Sequence, residues 1–190
     1  MKNIISAVVF LIMLMPLTLF AQRGDNLVLN PITCDEYLQN PELDKFIGIW
    51  TGINNGKSIT LELKKVKIHV PTLIPSFSEN KCYDAIFGFH KFIVNGSEIE
   101  STLNLSNSTV YEKKWTVLGG TEESNINRIS GTLEHISKNK SIKFRITYID
   151  PTHIKIESLE NLPGVRINEP GKPPYDSSID IPSCIILTKQ

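Results

Sequence analysis

Short segments in which apolar and polar residues alternate follow one another along most of the 190-residue chain. In the clearest of these segments, single polar residues separate Ile142, Phe144, Ile146 and Tyr148. A side-chain period of two places each apolar set on one face of a β-strand. No segment carries a helical period long enough for a substantial helix. The pattern therefore predicts an all-β fold.

The connections between these segments are short. Asn55-Gly56 and Asn95-Gly96 are typical of two-residue hairpin turns, because both residue types tolerate a positive φ. Short connections make sequential strands antiparallel neighbours. With about nine candidate strands, the sequence favours a single antiparallel up-and-down β-barrel of about eight or nine strands. A β-sandwich is the alternative.

The barrel is expected to begin with a strand in the stretch Asp44–Gly52, in which Trp50 plugs one end. A short helical turn is predicted just before it, over Glu42–Phe46. Leu43 and Phe46 stand three residues apart, so both can face the sheet from one side of that turn.

Three local irregularities are also predicted. The apolar face changes parity after Leu63, and an inserted residue at Lys64–Lys65 would produce this change as a β-bulge. Gly119–Gly120 is expected to end a strand that starts at Val110. Asp35–Leu38 is expected to form a single helical turn.

The N-terminus has the pattern of a secretory signal peptide. Lys2 precedes an uncharged, largely apolar run, Ile4–Phe20, and Ala21 supplies a small residue at the cleavage point. This divides the chain into a signal peptide, residues 1–21, a lead-in, residues 22–42, and a barrel domain, residues 43–190. A transmembrane anchor is the alternative for the apolar run. An exported protein, periplasmic or secreted, without a membrane span after cleavage is expected.

The cysteine count predicts one disulfide. Cys34, Cys82 and Cys184 would meet oxidising conditions after export, so one pair can form and one thiol is left over. Three pairings are possible. Cys82 with Cys184 is favoured, because each lies in or beside a candidate strand while Cys34 lies in the lead-in.

A long loop interrupts the strand pattern near the C-terminus. Residues 162–182 hold five of the chain's 11 prolines and cannot form a regular strand. Loops of this length usually carry a function or are disordered. This one is expected to flank the mouth of the barrel. The formal net charge is zero and no basic block occurs, which argues against nucleic-acid binding.

Gly48-Ile49-Trp50 resembles the first-strand motif of the lipocalin and fatty-acid-binding superfamily. In that superfamily the tryptophan closes the barrel floor and the open mouth admits an apolar ligand. An arginine from the last strand often packs over that tryptophan, and here the last strand offers only Lys189. The whole mature chain, and most closely the stretch Leu43–Val66, is similar to a family of small signal-bearing bacterial proteins of unknown function. That resemblance implies secretion and a β-rich fold.

The leading functional hypothesis is a carrier of a small apolar ligand, held inside a lipocalin-like barrel. The aromatic residues expected to line the cavity are Trp50, Phe89, Trp115, Phe144 and Tyr148. The alternative is a solid-core protein-interaction module at the cell envelope.

An enzyme is the least favoured class. His69, His90, His135 and His153 show no close ligand spacing, so no metal site, other cofactor or catalytic residue is predicted. A cluster of His69, His90 and carboxylates in the fold would revive the enzyme hypothesis.

Overall fold

The computed structural model describes residues 34–69, 81–107, 114–164 and 174–190. The predicted signal peptide and most of the lead-in lie outside the described residues, as does the start of the strand predicted from Val110. The described residues form ten strands and three short 3₁₀ helices. The strands are β1 Glu36–Leu38, β2 Gly48–Asn54, β3 Lys57–His69, β4 Lys81–Val94, β5 Ser97–Ser101, β6 Val117–Glu122, β7 Asn125–His135, β8 Lys140–Asp150, β9 His153–Asn161 and β10 Ile185–Lys189, and the 3₁₀ helices are Pro41–Phe46, Leu103–Leu105 and Ile136–Lys138.

Eight of the strands close into an antiparallel barrel. Around the barrel their order is β2-β3-β4-β6-β7-β8-β9-β10, and β10 pairs with β2 to complete the ring. The two additional strands lie along β4: β1 pairs with its first residues in parallel, and β5 pairs with its last residues. The predicted up-and-down barrel is therefore confirmed, and the sandwich alternative is not formed.

Both predicted hairpin turns are confirmed. Asn55 and Gly56 have φ values of 51° and 74°, and Asn95 and Gly96 have φ values of 48° and 84°. Two consecutive positive φ values define the turn type that matches the twist of paired strands. The two turns are also joined, because the N–H of Asn95 donates to the carbonyl of Gly56 at 2.7 Å.

The floor of the barrel is built around Trp50. Its side chain is fully buried, and its Nε1–H donates to the carbonyl of Phe46 at 2.8 Å. Lys189 lies over the indole ring, with Nζ 5.0 Å from the ring centroid. The positive charge over Trp50 therefore comes from a lysine. Gly48 makes room for it, since a Cβ there would lie 2.7 Å from Lys189 Cε and the φ of Gly48 is 137°.

A single cluster of buried apolar side chains occupies the barrel interior, from the floor to the opposite end. Leu43 and Phe46 of the first 3₁₀ helix enter it at the floor, as predicted. The other members come from all eight barrel strands and from one residue of the segment before β10: Trp50, Ile59, Leu61, Leu63, Ile86, Phe92, Val117, Ile129, Leu133, Ile142, Phe144, Ile146, Ile154, Ile156, Ile181, Ile185 and Leu187.

The predicted bulge at Lys64–Lys65 was wrong. The pairing of β3 with β4 runs from Lys57 to His69 without a register shift. β2 accompanies β3 only as far as Leu63, so β3 leaves the barrel wall beyond that residue. The change of parity therefore marks the end of the barrel interior and needs no inserted residue. Asp35–Leu38 is not helical either, because Glu36–Leu38 extends alongside β4 as β1.

Gly119–Gly120 does not end a strand, as the sequence suggested, but lies inside β6. Gly119 pairs directly with Gly131 of β7. A Cβ on Gly119 would lie 2.8 Å from Phe144 Cζ, so the ring of Phe144 fills the space that a side chain would need. The glycines allow close packing here rather than a break.

The disulfide joins Cys34 to Cys82, with a Cα–Cα distance of 5.7 Å, so the predicted Cys82–Cys184 pairing was wrong. Because β1 lies parallel to the start of β4, the lead-in brings Cys34 beside Cys82. Cys184 is an exposed free thiol just before β10. Nothing in the residue pattern of the lead-in indicated that it joins the sheet.

Gly131→Ala should destabilise the barrel strongly, because the new Cβ would lie 1.9 Å from the carbonyl oxygen of Leu118. We expect the free energy of unfolding to fall by about 2–4 kcal/mol in urea titrations. Gly120→Ala is the matched control, since no atom lies within 4 Å of its Cβ position. Its effect should stay within about 0.5 kcal/mol. Equal losses in the two variants would contradict this packing.

Alkylation of the native, unreduced protein should label one thiol, Cys184. Peptide mapping by mass spectrometry checks the position, and the Cys184→Ser variant should take up no label. A label on Cys34 would contradict the observed pairing. Reduction should lower the free energy of unfolding by about 2–4 kcal/mol, because the bridge closes a long loop.

Candidate functional site

The structure places three of the five predicted cavity aromatics in the filled interior. Trp50 lies at the floor, and Tyr148 packs edge-to-face on Phe46 with ring centroids 6.0 Å apart. Phe144 fills the space beside Gly119. Of the three cavities described below, only the one at β6–β9 is lined by any of these three side chains, namely Phe144. Lys189 lies over Trp50 and Lys45 lies over Tyr148.

Phe89 and Trp115 lie elsewhere. Their ring centroids are 5.4 Å apart, and Phe87 lies 4.5 Å from Trp115. Phe89 pairs opposite Glu62, so it points to the outer face of β4 while its neighbour His90 points inward. The structure brings these two predicted residues together, but on the outside of the barrel wall.

The end of the barrel opposite Trp50 is its mouth, and residues 174–184 cross it; we call this segment the strap. Ile181 of the strap is 3% exposed and belongs to the core, and Ile179 packs against the core. Residues 174–182 of the strap belong to the predicted long loop, residues 162–182. It occupies the position where a lipocalin-like barrel would be open.

Three lysines at the mouth hold the strap through its polar atoms. Lys57 Nζ donates to the carbonyl of Asp180 at 2.9 Å. Lys138 Nζ lies 2.5 Å from a carboxylate oxygen of Asp176 and 3.2 Å from one of Asp180. Lys140 Nζ donates to two strap carbonyls, those of Asp176 at 2.9 Å and Ser178 at 2.7 Å. The strap is therefore attached by charge as well as by burial.

A buried polar cluster lies beneath the strap. His90 is fully buried, and its Nε2 lies 2.9 Å from Oε1 of Glu100. Its Nδ1 lies 2.8 Å from the hydroxyl of Thr116, which in turn lies 3.0 Å from the hydroxyl of Thr102. We call His90, Glu100, Thr102, Thr116 and His135 the histidine cluster.

His135 completes the cluster from the other side of the carboxylate. Its Nδ1 lies 3.2 Å from Oε2 of Glu100, and that oxygen also accepts the N–H of Ser137 at 2.6 Å. The Nε2 of His135 accepts the N–H of Asp180 from the strap at 3.2 Å. One hydrogen-bonded path therefore joins a buried carboxylate to the segment that closes the mouth.

Glu100 stays ionised in this setting. Burial by itself would raise its pKa, but hydrogen bonds from His90 and Ser137 outweigh burial and lower the pKa to about 2. Its side chain is 2% exposed. A carboxylate that is both buried and charged is costly unless it is fully hydrogen-bonded, which here it is.

Two cavities flank the cluster. The mouth cavity, about 260 Å³, is lined by Lys57, Phe92, Val94, Ile99 and Asp180. The side cavity, about 310 Å³, is lined by Thr102, Leu105, Lys114, Trp115, Thr116, Glu134, Ile136, Asn139 and Lys140. A third cavity, of about 240 Å³, lies at β6–β9 and is lined by Glu122, Ser130, Gly131, Thr132, Lys143, Phe144, Arg145, Ser158, Glu160 and Leu162.

The cluster can hold and relay a proton between imidazole and hydroxyl groups. Within the described ranges, no group of three or more His, Cys, Asp or Glu side chains is arranged to hold a metal ion. Each ring nitrogen of His90 and His135 already has a hydrogen-bond partner in the protein. The sequence analysis named His69 as a possible partner of His90. His69 is the last residue of β3, beyond the part of that strand that pairs with β2, and it takes no part in the cluster.

Sequence reasoning missed this cluster because of one residue on β5. Strict alternation with Ile99 would leave Glu100 facing outward. A register shift in the pairing of β4 with β5 leaves Ile99 without a pairing partner, and Glu100 pairs with the inward-facing Phe92. The inward parity of His135 was readable, since it follows Ile129 and Leu133 at a period of two.

The defining pattern of a family of unknown function, DUF6705, matches residues 1–190. The chain belongs to this family. No curated protein and no solved structure matches the chain. For this DUF6705 protein, the function is therefore inferred from the geometry of the site. In the part of the chain that the structure describes, no helix has both the length and the apolar character to cross a membrane.

Glu100→Gln should lower the free energy of unfolding at pH 7 by roughly 2–4 kcal/mol, because it leaves buried donors facing a neutral amide. The folded-state pKa of about 2 lies below the ordinary 4.5, so the carboxylate stabilises the fold above about pH 4.5. That contribution is lost as the pH falls towards 2, and the difference between variant and wild type should shrink there.

Urea unfolding between pH 7 and pH 3 checks this expectation. Glu98→Gln is the control, since Glu98 is exposed on the same strand. Similar losses in both variants at pH 7, or a difference that grows with acidification, would refute the assignment.

Proposed function

We propose that this protein binds a small amphiphile, with an apolar body and an anionic head group, at the mouth of its barrel. The supporting observation is the mouth cavity, where Phe92, Val94 and Ile99 form an apolar wall and Lys57 stands at the rim. Ligand sites commonly combine a mostly apolar lining with a few placed polar groups. The site lies at the end of a lipocalin-like barrel where a ligand would enter.

The strap and the ligand would compete for the same apolar surface. Ile179 and Ile181 pack on the core at the mouth, whereas the interior below them is filled by core side chains. Burying an isoleucine side chain contributes about 1.5–3 kcal/mol, which an apolar ligand of similar size can match. The proposal therefore moves the predicted site from the barrel interior, with Trp50 and Phe144, to its upper end.

The charges at the mouth favour an anionic head group. Lys57, Lys138 and Lys140 direct their ammonium groups to carboxylates and carbonyls of the strap. When the strap moves, these partners leave and three positive charges remain around the opening. A carboxylate on the ligand would replace the strap oxygens, and charge-assisted hydrogen bonds are the stronger kind.

Export remains part of the proposal. The Cys34–Cys82 disulfide supports it, because disulfides persist in oxidising compartments and are rare in the cytosol. An amphiphile carrier outside the cytosol is consistent with this chemistry.

A protein-interaction module is the second candidate. Ile53 and Ile186 are 74% and 54% exposed on the adjacent strands β2 and β10, which is the observation in its favour. This hypothesis and the carrier hypothesis differ in one respect that can be measured, namely uptake of a small ligand.

Decanoic acid should bind the native protein in isothermal titration calorimetry, and Ile99→Asp should weaken binding at least about tenfold by placing a charge in the apolar wall. Ile149→Asp is the matched control, since Ile149 and Ile99 are 48% and 46% exposed and only Ile99 lines the mouth cavity. Decanol should bind more weakly than decanoic acid, and Lys57→Met should narrow that difference.

Native mass spectrometry of protein purified from its own host provides a second check. An added mass of a few hundred daltons that vanishes on denaturation would identify a natural ligand. A bare native mass together with no uptake of decanoic acid or decanol would rule out the carrier hypothesis and leave the interaction module.

A further inference from the structure

The two histidines that share Glu100 differ in what faces their outer ring nitrogen. In each histidine, one ring nitrogen faces Glu100. The other nitrogen faces the hydroxyl of Thr116 in His90 and the backbone N–H of Asp180 in His135. A hydroxyl can either donate or accept a hydrogen bond, whereas a backbone N–H only donates. The two sites therefore respond differently to an added proton.

His90 can take up a proton without losing a hydrogen bond. Protonated Nδ1–H would donate to Thr116, the Thr116 hydroxyl would turn to donate to Thr102, and the Thr102 hydroxyl would donate to the carbonyl of His90. Every group in this chain stays satisfied. The charge would also pair with the Glu100 carboxylate at 2.9 Å.

His135 cannot do the same while the strap is in place. Its Nε2 accepts the N–H of Asp180 at 3.2 Å and so carries no proton. Its Nδ1–H faces two acceptors, Oε2 of Glu100 and the hydroxyl oxygen of Ser137, each at 3.2 Å. A proton on Nε2 would place two donors, Nε2–H and the N–H of Asp180, opposite each other. The hydrogen bond between His135 and Asp180 would then be lost. The ring is fully buried while the strap is closed. No water molecule could therefore reach Nε2 and accept a hydrogen bond from the added proton.

We propose that His135 is a proton-sensitive latch on the strap, so that acidification releases Asp180 and opens the mouth. This inference rests on the proposed function in one respect, namely that the opened mouth is the ligand site. The release of the strap itself stands on the geometry of His135 and Asp180.

The titratable and charged groups that face His135 come from the barrel strands, the adjoining 3₁₀ helix and the strap. Glu100 faces it from β5, His90 from β4 through that carboxylate, Lys138 from the adjoining 3₁₀ helix and Lys140 from β8. Asp180 and Asp176 face it from the strap, and Lys57 reaches the strap from β3.

The carboxylates among these groups remain charged in mild acid. The pKa of Glu100 is about 2, and hydrogen bonds from Lys138 and Ser178 hold the pKa of Asp176 far below its usual range. Histidine side chains ordinarily change charge between about pH 8 and pH 5. A strap that loosens in that interval therefore does not do so by neutralising Glu100 or Asp176.

The direction of the pH effect follows from proton linkage. The closed strap blocks the proton site on His135 Nε2, so the closed state binds fewer protons than the open state. Lowering the pH therefore favours the open state. If the ligand binds the open state, its uptake is accompanied by proton uptake, and its affinity rises as the pH falls.

Hydrogen exchange of the full-length mature protein, read by mass spectrometry, tests the latch without a ligand. After correction for intrinsic exchange rates, amides of the strap should exchange about tenfold faster at pH 5.5 than at pH 7.5. His135→Gln should abolish this increase, because glutamine can accept from Asp180 and cannot become charged. His153→Asn, which lies outside the cluster, should retain it.

An unchanged strap exchange at pH 5.5, or an equal increase in His135→Gln, would overturn the latch. Nitrogen NMR of the wild-type protein covers the case in which a variant does not fold. The Nε2 resonance of His135 and the amide of Asp180 should shift together, and independent titrations of the two would also overturn it.

Decanoic acid binding at the same two pH values separates the two proposals. Strap opening without ligand uptake would keep the latch and reject the carrier. Uptake that does not change with pH in a protein whose strap does not open would keep the carrier and reject the latch.

Discussion

The closure of the sheet by β10 is the constraint on which the rest of the molecule depends. β10 pairs with both β2 and β9, and this turns an open sheet into a ring without edges. The same pairing places Lys189 over Trp50 at the floor. Since β9 ends and β10 begins at the mouth, the strap, which leads into β10, lies at that end.

The strap then meets the part of the interior that is not apolar. Below it, Glu100 is buried with a histidine on each side, and every described buried side-chain donor or acceptor has a partner. An apolar replacement of a buried ion network is often as stable or more stable. Satisfied polar networks in a core are therefore weak evidence for stability and a stronger indication of a function. Here the network ends on the backbone of the segment that covers the site.

The two ends of the barrel have different physical characters. At the floor, Trp50, Phe46 and Leu43 are fully buried. Gly48 has no side chain, which leaves room for Lys189 over the ring of Trp50. At the mouth, the strap is held by two isoleucines, three lysines, Asn161 and one histidine, all of which can exchange partners. Segments that move in binding are expected at the less stable end of a structure. The floor is therefore the more tightly packed end, and the proposed ligand exchange uses the other end.

The sequence by itself determined the all-β class, the hairpin turns, the helical turn before β2 and the place of Trp50, because a period of two, an Asn-Gly pair and a buried aromatic act locally. It also predicted a disulfide and a loop that flanks the mouth. Only the tertiary structure decided that Cys34 pairs with Cys82, since a parallel contact between β1 and β4 is a long-range event. The outward direction of Phe89 and the inward turn of Glu100 depend on strand register, and one unpaired residue, Ile99, reverses the face. The site could not be found from sequence because its members come from β4, β5, β7 and the strap, and only the closed ring brings them together.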